Sequence, residues 1–139
     1  MYLLDTNTCI RYLNGRAPAI RLRLHQHNPR DIAVCSVVKA ELFYGSPRSN
    51  NPIQSLAVQR RFVDSFLSLP FDDRAALEYG RIRAELAQKG TPIGANDMLI
   101  AAHALAVNAT LVSADTEFLR VPGLQVENWL ASQEHQRKS

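Results

Sequence analysis

Met1-Tyr2-Leu3-Leu4-Asp5-Thr6-Asn7 is the stretch that decides the fold. Residues 2–5 form a short apolar run that stops at a carboxylate, the pattern of a buried strand. Thr6 or Asn7 is then expected to cap a helix that stops at Asn14-Gly15. An apolar strand followed at once by a helix is the unit from which parallel sheets covered on both faces are built.

The rest of the chain repeats this alternation. Pro18 opens a helix over residues 18–27, and Asn28-Pro29-Arg30 is a turn. Ile32–Cys35 reads as a second strand. Ser36 is a good N-cap for a helix over Val37–Tyr44, ended by Gly45. Gly45–Pro52 is rich in Gly, Pro, Ser and Asn and reads as a loop. A helix over residues 53–66 carries an apolar stripe at Leu56, Phe62, Val63 and Phe66. Leu67–Phe71 is a weaker strand candidate. Asp72–Gln88 is a long helix closed by Lys89-Gly90, and Thr91–Ala95 is a loop. Asn96–Val107 is a strongly apolar, buried helix, and Asn108-Ala109 turns into a strand at Thr110–Ser113. Glu117–Leu119 makes one helical turn, Pro122-Gly123 a turn and Leu124–Val126 a last edge strand. Trp129-Leu130 packs on the body. These elements make one α/β domain over residues 1–132, with a parallel sheet of four to five strands and a polar, frayed tail at 133–139.

Composition narrows the function classes. A chain of 139 residues suits one domain with a real core. Its apolar stretches are too short and interrupted to span a bilayer. No basic leader or cleavage pattern is visible, so the expectation is a cytoplasmic protein with no membrane partner. Cys9 and Cys35 form no Cys-x-x-Cys pair, which leaves zinc unsupported and makes both thiols small buried hydrophobes. His25, His27, His103 and His135 lack metal-binding spacing. His103, six residues after Asp97, is off that residue's helical face and reads as a packed histidine. The net charge is +3, and 13 of the 16 basic residues are Arg, a side chain suited to gripping phosphate. The charge supports a polyanionic partner only weakly.

Four acids carry the chemistry: Asp5, Glu41, Asp97 and Asp115. Each has an ordinary alternative role. Asp5 can cap the following helix, Asp97 can favour a helix dipole from the first turn, Glu41 can be a solvated helix residue, and Asp115 can initiate a turn. In a parallel sheet, however, ligands bind beyond the carboxyl ends of the strands. Asp5 and Asp115 follow strands at that edge, and the helices that start there bring Glu41 and Asp97 to it. Four gathered carboxylates repel one another without a cation. Mg²⁺ or Mn²⁺ wants oxygen ligands and can drive phosphodiester hydrolysis. Asn7, Ser36 and Ser113 are candidates for orienting those carboxylates, with capping or turn formation as their alternative.

The order and spacing of these segments resemble the PIN-domain ribonucleases, and within them the VapC toxins. The resemblance runs over nearly the full length. It is carried by Leu3-Leu4-Asp5-Thr6-Asn7, by Ser36-Val37-Val38-Lys39-Ala40-Glu41-Leu42-Phe43-Tyr44-Gly45, by Gly94-Ala95-Asn96-Asp97 running on to Leu105, and by Val121-Pro122-Gly123-Leu124 with Glu127-Asn128-Trp129. It implies a three-layer α/β/α sandwich, metal-binding acids at Asp5, Glu41 and Asp97, and a fourth acid at the position of Asp115. It also implies a homodimer and a VapB-type antitoxin whose C-terminal segment occupies the active-site groove. Operator DNA would be reached only through that antitoxin. The chain departs from VapC relatives at Ser113-Ala114-Asp115, where they often read Thr-Asn-Asn with an extra residue.

The expected reaction is Mg²⁺- or Mn²⁺-dependent hydrolysis of RNA, with all four acids in catalytic and metal-holding roles and no protein nucleophile. Single-stranded or looped RNA suits such a site better than an A-form helix. Arg16, Arg21, Arg23, Arg48, Arg60 and Arg61 are available for phosphates, although solvated surface charge is their ordinary role. Two rival readings differ in class. Asp5-Thr6-Asn7-Thr8 is similar to the Asp-x-Asp-x-Thr box of haloacid-dehalogenase phosphatases, but Asn7 replaces the second Asp and no later Lys partner is evident. The other rival is a non-catalytic module of the same fold that acts through antitoxin and operator DNA.

Overall fold

A computed structural model describes residues 1–45 and 48–130. The middle of the expected loop at Gly45–Pro52 and the expected tail at 133–139 lie outside the described residues. Within these residues, five strands form one parallel sheet: β1 (Tyr2–Leu4), β2 (Ile32–Cys35), β3 (Leu67–Leu69), β4 (Thr110–Val112) and β5 (Val126–Glu127). Their spatial order is β3-β2-β1-β4-β5. The chain grows outward from β1 to β3 on one side, then crosses back to place β4 and β5 on the other. Among the described residues, six α-helices complete the three-layer α/β/α body: α1 (Thr6–Leu13), α2 (Pro18–His25), α3 (Ser36–Gly45), α4 (Pro52–Asp64), α5 (Asp73–Gln88) and α6 (Ala95–Ala106). Short 3-10 turns occupy Pro29–Asp31 and Thr116–Arg120.

Burial explains the strands. All four residues of β2 are buried, as are the last two of both β1 and β4. Strands covered on both faces need apolar side chains at every position, which is why Leu3-Leu4, Ile32–Cys35 and Leu111-Val112 are continuous rather than alternating. Each fully buried Leu, Ile or Val contributes about 1.5–3 kcal/mol. Edge strand β3 has Leu67 and Ser68 exposed. It ends at Leu69, so the expected extension to Phe71 does not pair.

Several boundaries differ from the sequence expectations. The cap of α1 is Asp5, not Thr6 or Asn7. Asp5 has extended dihedrals and accepts from the Thr8 amide, while Thr6 is already helical. Helix α2 ends at His25 and α4 at Asp64, each through an αR cap residue. In the α4 stripe Phe62 and Val63 are buried, whereas Leu56 is 37% exposed. The last strand is Val126–Glu127, because Leu111 donates to the Gln125 carbonyl and so sets the register from that point.

Helix α6 is the most buried helix. Ala101, Ala102 and Ala104 have no exposed surface, and their small side chains permit close packing on α5 and β4. Asn108 turns the chain from α6 into β4 with φ of 55°, a left-handed conformation that Asn tolerates better than most residues. His103 is a buried, packed residue as expected, with its ring edge-on to Phe71 at 5.2 Å. Both cysteines are free and buried. Among the described residues, no helix is long and apolar enough to cross a membrane.

Candidate active site

The order of the sheet creates the site. β1 pairs with β2 on one side and with β4 on the other, so the chain builds outward on one side of β1 and then returns to build on the other. The crevice beyond the carboxyl ends of β1 and β4 is the place where such sheets bind ligands. Asp5 follows β1 directly, and its amide continues the pairing by donating to the Val112 carbonyl at 3.1 Å. The Thr8 hydroxyl donates to the same carbonyl at 3.1 Å and fastens the first turn of α1 to the end of β4.

Asp5 is buried, and its Oδ1 accepts from the Thr8 amide at 2.8 Å. The Ser113 hydroxyl bonds to the same side chain. Ser113 is also buried and its oxygen accepts from the Asp115 amide at 3.0 Å, so it links the two acids. Burial raises the Asp5 pKa above the usual carboxylate value, with a further push from Asp115. The bonds from Ser113 and Thr8 pull it back. Capping and site membership therefore coexist in this residue.

Asp97 lies in the first turn of α6, after Gly94, which caps the helix without a side chain. Its pKa is raised to about 6 by burial first, then by Asp115, Glu117, Glu41 and Asp5. Four carboxylates from three different segments thus act on one, Asp115 and Glu117 sharing a single turn. Asp115 caps the 3-10 turn at Thr116–Arg120, with Oδ1 accepting from the Glu117 amide at 2.9 Å. Asp97, Asp115 and Glu117 each bring one carboxylate oxygen to within 4.8 Å of the others. Glu41, half-buried on α3, accepts from the Thr6 hydroxyl at 2.6 Å.

All four expected acids lie at this edge, and a fifth, Glu117, joins them. Sequence reasoning placed Glu117 only in a helical turn. The available signal was the pair Asp115-Thr116-Glu117, two acids two residues apart in a tight turn. The Thr6 partner of Glu41 is 35 residues away and left no local signal. Among the three candidate orienting residues, Ser113 touches the cluster. Asn7 is exposed and lines a groove with Glu41. The Ser36 hydroxyl is directed instead to the Leu69 carbonyl at 3.4 Å.

The donor set fits a hard divalent cation. It consists of carboxylate oxygens without thiolate or imidazole, the preference of Mg²⁺ or Mn²⁺ rather than zinc. Among the described residues, Asp5, Glu41, Asp97 and Asp115 have no ion pair with Lys or Arg. Their repulsion, which adds to burial in raising the Asp97 pKa, is what a bound cation would relieve.

Two recesses adjoin the cluster. One of about 430 Å³ is lined by Ser113, Asp115, Val126 and Asn128 among others. The other, of about 740 Å³, is bordered by Thr6, Glu41 and Asn96. Of the arginines, Arg23 pairs with Glu127 at 2.9 Å and lies over the Trp129 ring. Arg48 lies over Tyr44, and Arg16, Arg21, Arg60 and Arg61 are exposed.

Known proteins are similar to this chain along nearly its whole length. The tRNA(fMet)-specific endonuclease VapC of Salmonella typhimurium is 40% identical over 129 residues, covering 92% of this chain and 97% of its own. Ribonuclease VapC2 of Rickettsia felis is 41% identical over 132 residues, covering 93% and 98%. Among solved structures, the DNA-bound VapBC of Salmonella typhimurium superposes with a TM-score of 0.87 at 40% identity, covering 92% of this chain and 97% of the other. VapBC2 of Rickettsia felis bound to a promoter DNA fragment gives 0.86 at 38%, covering 92% and 98%. The PIN domain family model matches residues 2–124. With sheet order, acid cluster and these relatives in agreement, the chain belongs to the PIN domain family, in its VapC branch.

Proposed function

We propose that this protein is a Mg²⁺- or Mn²⁺-dependent endoribonuclease acting as the toxin of a VapBC-type toxin–antitoxin pair. The observation that carries the reading is the convergence of Asp5, Glu41, Asp97, Asp115 and Glu117 at one sheet edge, in a chain 40% identical to a tRNA(fMet)-specific endonuclease.

Asp5, Glu41, Asp97 and Asp115 would hold the cation, with Glu117 beside them. A bound divalent ion supplies a water of lowered pKa and stabilises negative charge on the phosphoryl oxygens in the transition state. The remaining work belongs to the chain. Thr6 holds Glu41 in one orientation, and Ser113 ties Asp5 to Asp115. Asp97 must be ionised to serve as a ligand, so the raised pKa sets a lower pH limit on the loaded state. No cysteine or histidine nucleophile is needed: the thiols are buried, and His103 packs against Phe71.

The substrate class is single-stranded or looped RNA. The partners are a VapB-type antitoxin, a second copy of the chain in a homodimer and, through the antitoxin, operator DNA. Relatives solved as VapBC complexes on DNA support the antitoxin and operator parts of this reading. The setting is cytoplasmic.

The test is cleavage of total RNA, and of initiator tRNA as first defined probe, by antitoxin-free protein with Mg²⁺ or Mn²⁺ and with EDTA, beside Asp97→Asn. Metal-dependent cleavage lost in the variant is expected. Equal cleavage by both proteins would sink the site assignment.

A further inference from the structure

The 740 Å³ groove holds an arrangement that metal chemistry does not use. Glu41 stands in its wall, one helical turn before Tyr44 on α3. Tyr44 is 69% exposed, a large ring open to solvent in the groove's lining. The Arg48 guanidinium lies 5.5 Å from the centre of that ring. Ile10, Val37 and Leu99 contribute the groove's apolar lining. A groove that begins at carboxylates and continues as an exposed ring with a cation suits neither an apolar core nor an anionic peptide alone. It suits a strand with flat bases and regularly spaced phosphates.

We propose that Tyr44 and Arg48 form a subsite for one nucleotide of single-stranded RNA next to the phosphate held at the acid cluster. The ring stacks on the base, and the guanidinium meets a flanking phosphate. Stacking on an aromatic ring tolerates any base, because every base has a π-face. The subsite therefore supplies grip and register, while sequence choice lies elsewhere. Arg48 also offsets the repulsion between the RNA backbone and five carboxylates. This inference rests on the nuclease reading for its substrate, but its test does not require cleavage.

Trp129 is the chain's single tryptophan and is buried, so Tyr44→Trp places a second, exposed indole in the groove. In an Asp97→Asn background with Mg²⁺, a short unstructured RNA is expected to quench that indole saturably. An abasic RNA of the same length and charge should not. In the otherwise native protein, Tyr44→Ala should raise KM roughly tenfold, within the range found for loss of one base–aromatic stack. Its kcat should change less, and Tyr44→Phe should restore KM. Equal quenching by the abasic strand, or none by either, would overturn the subsite. So would unchanged cleavage by Tyr44→Ala with loss of antitoxin inhibition or of dimerisation, since Tyr44 would then serve a protein interface. Quenching by RNA without cleavage by native protein would leave the subsite standing and remove the nuclease reading.

Discussion

The Thr6 hydroxyl donates to Glu41 Oε1 at 2.6 Å, joining the first residue of α1 to the middle of α3 across 35 positions. A hydrogen bond to an ionised carboxylate is among the stronger kinds, and this one fixes which way Glu41 faces. Residues that orient metal-binding carboxylates typically affect metal affinity or activity by about 10- to 100-fold. Thr6→Val keeps the branched shape and removes the hydroxyl. It should weaken Mn²⁺ binding, measured by calorimetry, and lower cleavage by that factor, while Thr6→Ser keeps both near native. Native Mn²⁺ affinity in Thr6→Val would show that Glu41 needs no such anchor.

A second clasp holds the far end of the chain. Arg23 of α2 pairs with Glu127 of β5 at 2.9 Å, and its guanidinium lies 5.3 Å from the centre of the Trp129 ring. The Arg23 side chain is only 11% exposed, so this is not a solvent-screened surface pair. Arg23→Ala should cost about 1–3 kcal/mol through the lost charged hydrogen bond and cation–π contact. Chemical denaturation would measure it, and the emission of Trp129 should move to the red as water reaches the indole. An unshifted spectrum with native stability would contradict the clasp.

His103 is buried, and its Nε2 has no hydrogen-bond partner among the described residues. Burial lowers its pKa below 6.5, although Asp72 pulls the other way. The folded chain therefore sheds this proton while the unfolded chain still binds it. The resulting penalty is absent well above pH 6.5 and grows as pH falls below that value. His103→Leu keeps a similar volume and removes both the proton and the unpaired nitrogen. Its stability relative to native protein should be constant or slightly higher at pH 7.5–8.5, and should improve progressively toward pH 5. A flat difference over that range would mean that the imidazole finds a partner.

The sequence was legible where one force acts alone. Short continuous apolar runs bounded by turn residues and helix caps, such as Ile32–Cys35, read as strands buried on both faces, and acids placed straight after such strands fall at the sheet edge. The order β3-β2-β1-β4-β5 was not legible, because pairing partners leave no local mark in strands that all read alike. Strand β3 was faint because its outer residues, Leu67 and Ser68, face solvent. The cap of α1 was left open because Asp5, Thr6 and Asn7 are all good caps, and only the backbone turn at Asp5 chooses among them. Glu117 escaped notice because a charged residue in a turn is ordinarily solvated, and its neighbours Asp97 and Asp115 become neighbours only through the fold.

Asp97 ties stability and activity together with opposite signs. Its pKa of about 6 in the folded chain exceeds the ordinary 3.8, so the folded state holds this proton better than the unfolded state does. The stabilising contribution is fully present below about pH 3.8 and is lost as pH rises through about 6. Metal-free protein at pH 7.5 therefore carries the full repulsion of Asp97 with Asp115, Glu117, Glu41 and Asp5. Asp97→Asn removes one charge from that cluster at nearly constant volume. Discounted for solvent screening at this half-exposed position, the relief is on the order of 1 kcal/mol, or about 2–4 °C in Tm for a chain of this size. The gain should shrink as pH is lowered from 7.5 to 4. The same substitution removes a proposed metal ligand and should cut cleavage by about 10²-fold or more. Thermal melts of both proteins with EDTA and with Mn²⁺, across that pH range, separate the possibilities. Native protein should gain the larger Tm increment from Mn²⁺, because only it keeps the full ligand set, and that increment should fade below pH 6 as protons compete for Asp97. A variant less stable than native protein in EDTA at pH 7.5 would show that Asp97 is held by partners other than the repelling carboxylates, and would remove the electrostatic case for a cation at this edge.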